Sequence, residues 1–284
     1  MAVIGHVEWV EFARVDRVPR PGEIVHAEET WEEPAGGGAV AAVQLAKLAG
    51  RATLYTAFGN DDLGRKARAG LEALGLEVEA VVRPYPQRRC FVYIDGTGER
   101  TITTIGERLG PNGDDPLPWE GLAETVGVYF TAGDAAALRA GRNARVLVAT
   151  SRILADLTRA HVELDAVVGS ANDAAERYAV GELEPPPRFA VATAGSSGGT
   201  FLSADGKAGS YPAEPPPGPV VDTYGSGDSF AAGLTFGLAE GYGIREALDL
   251  AARCGAAALT GRGAYQGQLW LSSPGGAAGP RRKS

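Results

Sequence analysis

Short apolar runs alternate with amphipathic segments along most of the chain. GVYFTAG, ARVLVAT and DAVVGS each predict a short buried strand, and helical patterns separate them. AVIGHVEWVEF, at the start of the chain, predicts the first strand of the core. Strands that alternate with helices form right-handed βαβ units, so the pattern predicts an α/β fold with a mostly parallel sheet.

Two glycine-rich turns lead into predicted helices. Residues 36–50, GGGAVAAVQLAKLAG, predict a glycine turn followed by an alanine-rich helix that ends at a glycine. Further along, Phe230, Leu234 and Leu238 recur every four residues and predict one buried face of a second helix.

Two β-rich segments do not fit this alternation. Residues from about 12 to 33 predict exposed strands, and residues 88–105 predict a hairpin around the turn DGTG. We expect both to form a small separate sheet attached to one domain that spans residues 1–272. The glycine- and arginine-containing residues 273–284 predict a disordered tail.

Composition and charge argue against several classes of function. A net charge of −8 disfavours nucleic acid and anionic membranes as partners. No stretch approaches the roughly 18 uninterrupted apolar residues of a membrane helix, and the N-terminus lacks the pattern of a signal peptide. Cys90 and Cys254 do not form a disulfide framework, so a reduced, cytoplasmic protein is expected.

The start of the second helix carries the candidate chemistry. Gly225, Ser226 and Gly227 are suited to a sharp turn, and Asp228 falls in the first helical turn. Backbone N–H groups at a helix N-terminus attract anions, and a neighbouring carboxylate can accept a proton. A plainer alternative is that Asp228 only caps the helix. The chain has no GxxxxGK[ST] loop, so any phosphate is bound by another device.

The stretch DTYGSGDSF resembles the DTxGxGDxF signature of the PfkB carbohydrate kinases, the ribokinase-like family. Other stretches resemble motifs of that family in the same order, over roughly residues 3–265: GGG with AxxLAxLAG, FGNDDLGRKARAGLEALG, DGTGERTI and ATAGSSGG. The resemblance implies a ribokinase-like three-layer α/β/α fold with a mostly parallel central sheet and a small β-sheet lid. It also implies that ATP lies over the carboxyl edge of the sheet and the acceptor lies beneath the lid.

The resemblance assigns expected catalytic roles. Asp228 would deprotonate the acceptor hydroxyl, and the N–H groups of Gly225, Ser226 and Gly227 would hold the charge that develops on the γ-phosphoryl group. This machinery implies an ATP-dependent phosphotransferase acting on a small sugar-like molecule.

Nucleotide-side residues are expected at two places. Thr193, Gly195 and Gly198 match the turn that packs along ATP in the family. Asp222 and Thr223 open the signature, and Asp222 is a candidate either to hold a monovalent cation such as K⁺ or to orient the loop.

The metal side departs from the family pattern. Where the family carries NxxE, the best register here gives Ser170 and Asp173, with Asn172 in an alternative register. We expect Asp173 to hold Mg²⁺ through water, the ion arriving with ATP.

The acceptor side departs further. Glu8 and Val10 stand where sugar kinases of the family carry Asn and Asp, and Ala41 replaces a third polar residue. The expected substrate-binding residues are therefore those that remain: Glu8, Gly37, Gly38 and Asp134.

Three neighbouring features have plain structural explanations. His6 and Trp9 are expected to be packing residues, and the pair Arg88–Arg89 is expected to lie on an exposed, charged edge strand, although it could meet an anionic substrate.

These departures leave other functions open. A nucleoside or polyol kinase on the same scaffold fits the residues, as does a sensor that binds a metabolite without turnover. A homodimer formed through the lid is a further expectation.

Overall fold

The computed structural model describes residues 1–271. The predicted disordered tail, residues 273–284, lies outside the described residues. In this part of the chain there are thirteen strands: β1 (Ala2–Ile4), β2 (Glu8–Arg14), β3 (Glu29–Ala35), β4 (Thr53–Gly59), β5 (Glu77–Arg83), β6 (Arg89–Ile94), β7 (Arg100–Ile105), β8 (Gly127–Phe130), β9 (Val146–Thr150), β10 (Ala166–Ser170), β11 (Phe189–Thr193), β12 (Gly199–Ser203) and β13 (Ala208–Tyr211).

Six α-helices accompany these strands in residues 1–271: α1 (Gly37–Ala49), α2 (Asp62–Ala73), α3 (Ala135–Gly141), α4 (Leu154–Ala160), α5 (Ser226–Ala239) and α6 (Ile244–Ala258). None of them is both long enough and apolar enough to cross a membrane.

The central sheet has nine strands in the order β13-β12-β11-β10-β9-β8-β1-β4-β5. Strands β5, β4, β1, β8, β9, β10 and β11 run parallel, and β12 and β13 add an antiparallel edge. Its middle strands are almost completely buried, as expected for a parallel sheet covered on both faces. The α/β fold predicted by the sequence is confirmed.

A second sheet of four strands, in the order β3-β2-β6-β7, forms the lid. Its inner face packs on the loop before α5: the ring of Phe12 stacks on Trp31 at 4.8 Å and meets the edge of Tyr224 at 5.1 Å. The Tyr224 hydroxyl in turn accepts a hydrogen bond from the N–H of Gly36, at the start of α1. One tyrosine therefore joins the lid, α1 and α5.

The prediction for the first strand was wrong in one respect. AVIGHVEWVEF is divided between the two sheets, because β1 ends at Ile4 and β2 begins at Glu8. The chain turns at Gly5, where its backbone lies directly against that of Gly38. A side chain does not fit there, because a Cβ on Gly5 would lie 2.7 Å from the Gly38 Cα. Apolar periodicity cannot reveal this turn, because both strands are buried.

Helix α1 begins where the glycine turn predicted it. Gly36 precedes the helix with φ 88°, and Gly50 ends it in the left-handed region with φ 82°. The helix follows the lid strand β3 after a single residue, so its first turn lies under the lid and against the end of β1.

Replacing Gly38 with Ala is expected to destabilise the protein. The new Cβ would lie 2.7 Å from the His6 carbonyl oxygen and 2.8 Å from the Gly5 carbonyl carbon, and neither backbone atom can move without shifting the turn between the sheets. We expect a loss of about 1–3 kcal/mol, as for overpacking in a core, measured as a lower midpoint in urea unfolding. Gly218→Ala is the control, since its Cβ would meet nothing closer than 3.8 Å. Equal midpoints for the two variants would contradict this view of the contact.

Candidate active site

Polar residues that follow four of the parallel strands lie at one edge of the central sheet. His6 follows β1, Thr131 follows β8, Arg152 follows β9 and Asp173 follows β10, each within three residues of the strand's end. These strands are parallel, so their carboxyl ends meet at the same edge, where ligands bind in open α/β sheets.

Helix α5 presents free backbone donors at this edge. Gly225 lies in the left-handed region with φ 75°, and the first backbone bond of the helix runs from the Ser229 N–H to the Gly225 carbonyl at 2.9 Å. The N–H groups of Ser226, Gly227 and Asp228 precede that bond and have no partner within the helix. A Cβ on Gly227 would meet nothing within 4 Å, so there is open space beside these donors.

The N-terminus of α1 meets that of α5 at Asp228. A Cβ on Gly37 would lie 2.8 Å from Asp228 Oδ1, 3.2 Å from Thr131 Oγ1 and 3.4 Å from His6 Cε1. Gly37 thus keeps open the point on which a carboxylate, a hydroxyl and an imidazole converge. Two helix N-termini facing one carboxylate provide a field that favours negative charge there.

The Asp228 carboxyl has a shifted pKa. Burial, together with the nearby charge of Glu176, raises its pKa to about 6, although Arg100 and Arg152 oppose the shift. A carboxyl with a pKa close to the working pH is suited to accept a proton from a substrate and release it later.

His6 lies in the site as a neutral imidazole. Burial lowers its pKa to about 4, and although Glu8 opposes this, the positive charges of Arg108, Arg88 and Arg152 favour it. Its Nδ1 lies 3.4 Å from Thr131 Oγ1, within hydrogen-bond distance. It is a packed residue, as the sequence predicted, but one that forms part of the wall next to Asp228.

Glu8 has its carboxylate oxygens engaged by the lid. Arg88 Nε donates to Oε1 at 2.6 Å, and the Cys90 thiol donates to Oε2 at 2.9 Å. Burial raises the pKa of Glu8, but the donors around it outweigh burial and lower the pKa overall. The pair Arg88–Arg89 is therefore split: Arg88 is turned into the site, whereas Arg89 faces outward near Glu11. The expectation of an exposed edge strand was wrong, because β6 lies between β2 and β7, and only the Arg89 side chain is directed toward solvent.

Asp222 organises the loop before α5. Its Oδ1 accepts the Tyr224 N–H at 2.8 Å, and its Oδ2 accepts the Gly263 N–H at 2.9 Å. Burial raises its pKa despite these bonds. Thr223 lies at the surface of the same loop and bonds to the lid: its hydroxyl donates to Glu99 at 3.0 Å and accepts from Arg100 at 3.2 Å.

The metal-side residues share one arginine. Arg152 donates to Asp173 Oδ2 at 2.6 Å and also contacts the Glu176 carboxylate. Glu176 is the more enclosed of the two acids, and its second oxygen accepts the Ser170 N–H at 2.8 Å. Its charge also raises the pKa of Asp228, an effect that the predicted Asp173 is not found to have.

Thr193, Gly195 and Gly198 form the end of β11 and the turn into β12. Gly195 and Gly198 both have positive φ, 58° and 80°, and a Cβ on Gly198 would lie 2.2 Å from the Tyr211 carbonyl oxygen. The Thr193 hydroxyl lies 3.4 Å from the Gly169 carbonyl. This turn is at the same edge of the sheet as α5, two strands beyond β9.

Asp134, another predicted substrate residue, follows β8 and is engaged by backbone donors. It caps α3 by accepting the Ala137 N–H at 2.8 Å, and it also accepts the Gly113 N–H at 2.9 Å. Its carboxylate therefore holds the loop around residue 113 against α3. It lines a cavity of about 480 Å³ beside the site, together with Arg108 and Gly133.

A protein-family model matches most of the sequence that forms this structure. The model for pfkB family carbohydrate kinases matches residues 1–131 and 157–270. The chain belongs to this family. It is therefore a carbohydrate kinase, an enzyme that transfers a phosphoryl group from ATP to a hydroxyl of a small sugar-like substrate.

Known proteins resemble the chain over nearly its whole length. An ATP-dependent ribose-1-phosphate kinase of Halopiger xanaduensis is 29% identical over 267 residues, which cover 89% of each chain. The crystal structure of a ribokinase from Thermotoga maritima has a TM-score of 0.74 at 20% identity, covering 95% of both chains. Arabidopsis thaliana ribokinase, solved with ribose and ATP, has a TM-score of 0.71 at 18% identity and the same coverage. The ribokinase-like fold is confirmed.

Sequence reasoning missed several polar residues of this site: Thr131, Arg100, Arg108, Arg152 and Glu176. A signal existed for two of them. Thr131 lies near the end of the predicted strand GVYFTAG, and Arg152 follows the predicted strand ARVLVAT by two residues. α/β proteins place their ligand-binding residues at such strand ends. Of the others, Arg100 begins the lid strand β7, whereas Arg108 and Glu176 lie between strands. The position of all three in the site depends on contacts distant in sequence.

The rate of phosphoryl transfer is expected to fall on the acid side with a midpoint near pH 6. A carboxyl group accepts a proton only when it is deprotonated, and with a pKa of about 6 the deprotonated form of Asp228 is lost as the pH drops through that value. We expect kcat to be about tenfold lower at pH 5 than on the plateau. The measurement is kcat from pH 4.5 to 8.5, with ATP affinity measured in parallel to separate nucleotide titration. A midpoint near 4, the range of an unperturbed Asp, would contradict the assignment.

Proposed function

We propose that Asp228 is the general base of this kinase and removes the proton from the acceptor hydroxyl. The observation that carries the proposal is the position of its carboxylate between the N-termini of α1 and α5, with a raised pKa. The acceptor oxygen would lie in the space that Gly37 leaves open, beside Thr131 and His6. Because phosphoryl transfer passes through a loose transition state, positioning and charge stabilisation would supply most of the rate.

The proposed anion hole consists of backbone donors at the start of α5. The N–H groups of Gly225, Ser226 and Gly227 would hold the charge that develops on the γ-phosphoryl oxygens, and the free position of the Gly227 α-carbon would let those oxygens approach. Asp222 would keep this loop in place through its two backbone bonds.

The proposed nucleotide side is the turn of Thr193, Gly195 and Gly198, at the same sheet edge. Thr223, the second predicted nucleotide-side position, would help to bind ATP from the loop before α5, where its hydroxyl bonds to Arg100 of the lid. The expected role of Asp222 as a ligand for K⁺ receives less support than loop ordering, because each of its oxygens already accepts an N–H.

Magnesium would be held through water by Asp173 and Glu176. Residues 1–271 contain no group of three or more His, Cys, Asp or Glu side chains able to bind a metal by themselves. Two carboxylates near a nucleotide suit Mg²⁺, which keeps most of its waters and takes few protein ligands. When bound, the ion would neutralise charge on the ATP phosphates, and Arg152 would fix the orientation of both carboxylates.

The proposed partner is a second copy of the chain, and the proposed location is the cytoplasm. β7 is exposed along its whole length and pairs on one side with β6, so a second copy could meet the lid there. Both cysteines are buried and free, which suits a reducing, cytoplasmic environment.

Asp228→Asn is expected to abolish turnover while leaving nucleotide binding intact. Asparagine keeps the shape of the side chain but cannot accept the proton, so we expect acceptor-dependent ADP release to fall by about 10²–10⁴-fold. The measurement is ADP release from ATP and Mg²⁺ over a panel of sugars, nucleosides, polyols and sugar phosphates, with ATP affinity measured by calorimetry.

Asp249→Asn, on the exposed face of α6, is the matched control and should retain the rate. Full activity of Asp228→Asn would contradict the proposed base. ATP binding with no ADP release in the native protein, whichever acceptor is offered, would favour the sensor.

A further inference from the structure

The charges of three arginines reach His6, at the proposed acceptor side of the site. Arg88, Arg108 and Arg152 all act on the buried imidazole of His6, which lies next to the point where Asp228, Thr131 and Gly37 converge. Arg88 and Arg152 have carboxylate partners, Glu8 for the first and Asp173 with Glu176 for the second. Within residues 1–271, Arg108 has no ion pair or hydrogen-bonded side-chain partner.

Arg108 is therefore a guanidinium without a paired carboxylate, and it lines the cavity that adjoins Thr131. Its side chain is accessible, yet desolvation lowers its pKa, and the neighbouring charge of Arg88 lowers it further while Glu8 opposes this. Cations held near one another without a counter-ion are stabilised by a bound anion, and guanidinium groups bind phosphate through paired N–H donors.

The loop that carries Arg108 is anchored. Arg83 forms two hydrogen bonds to the Asp115 carboxylate and a third to the Gly110 carbonyl at 3.0 Å. Asp134 accepts the Gly113 N–H from the same loop, and Arg88 reaches the Gly106 carbonyl at 3.4 Å. Arg108 thus projects from a segment fixed at both ends, as a preorganised binding group requires.

The adjoining cavity has room for an anionic group. Its volume of about 480 Å³ lies in the range of small-molecule pockets, and its wall runs from Arg108 to Ala132 and Gly133, next to Thr131. The carboxylates on this wall are Asp134, bonded to two backbone N–H groups, Asp156, paired with Arg159, and Glu107, beside Arg108 in the chain.

The same site has few free groups with which to read the hydroxyls of a neutral sugar. The Glu8 oxygens are occupied by Arg88 and Cys90, and the positions expected to carry polar readers are the apolar Val10 and Ala41, both fully buried. A neutral sugar would leave its hydroxyls unpaired here, which costs affinity.

We propose that the acceptor is a phosphorylated sugar, whose phosphate is bound by Arg108 with Arg88 beside it. The proposal rests on the proposed function, in which Asp228 activates a sugar hydroxyl. In the reaction the acceptor oxygen forms a bond to the γ-phosphorus of ATP, the bond from that phosphorus to the ADP oxygen breaks, and the hydroxyl proton passes to Asp228. The products are a sugar bisphosphate and ADP.

The first experiment compares ribose with ribose 1-phosphate and ribose 5-phosphate as acceptors. We expect kcat/KM for at least one phosphate to exceed that for ribose by about 10–100-fold, since charge-assisted hydrogen bonds carry the difference. Binding of the same three compounds is measured by calorimetry with a non-hydrolysable ATP analogue present. Turnover of ribose with neither phosphate bound would overturn the inference and leave the proposed function standing.

The second experiment uses Arg108→Gln, with Arg89→Gln as the matched control on the outer face of the lid. Arg108→Gln is expected to raise KM for the phosphorylated acceptor by about 10–100-fold while leaving kcat for ribose and KM for ATP within about twofold. Arg89→Gln should change none of these values. A rise in KM for ATP instead would assign Arg108 to the nucleotide and overturn the inference.

Binding and turnover separate the two proposals. A native protein that binds the sugar phosphate through Arg108 but releases no ADP would contradict the proposed function and support the anion site. A native protein that binds none of the three compounds would overturn the anion site.

Discussion

The contact between the backbones of Gly5 and Gly38 is the constraint on which the rest of the site depends. Two chain segments cross there without side chains between them, and a Cβ on either residue would lie within 2.8 Å of the other segment. Because of this approach, the N-terminus of α1 lies over the end of β1, and Gly37 comes next to Asp228. The same crossing sends the chain out of the central sheet and into the lid. The same backbone contact therefore sets both the place of Gly37 beside Asp228 and the position of the lid.

Local signals predicted the elements that carry the chemistry. The glycine turns before α1 and α5 were evident because only flexible residues without a side chain suit such turns, and the following apolar periodicity marked each helix. The family resemblance predicted what local signals did not: the three layers, the lid and a catalytic role for the DTYGSGDSF stretch. The match to the family model then confirmed that the chain is a carbohydrate kinase.

Long-range packing could not be predicted from the sequence in the same way. Whether Arg88 or Arg89 enters the site depends on the pleat of β6 and its pairing with β2, which sequence alternation does not fix. Asp134 was predicted to bind the acceptor from its position in the sequence, yet its Oδ1 accepts the backbone N–H groups of both Gly113 and Ala137. The more enclosed Glu176 was missed because the family spacing pointed three residues earlier, to Asp173.

The bonds between the lid and the loop before α5 tie the order of one to the position of the other. The Thr223 N–H donates to the carbonyl of Gly98 at the hairpin tip, and Arg14 reaches the Val221 carbonyl. The buried contact of Phe12 with Tyr224 adds to these bonds. A displaced lid would therefore take partners away from the loop before α5. In this way the order of the backbone donors proposed to bind the γ-phosphoryl group is coupled to the position of the sheet that covers the proposed acceptor.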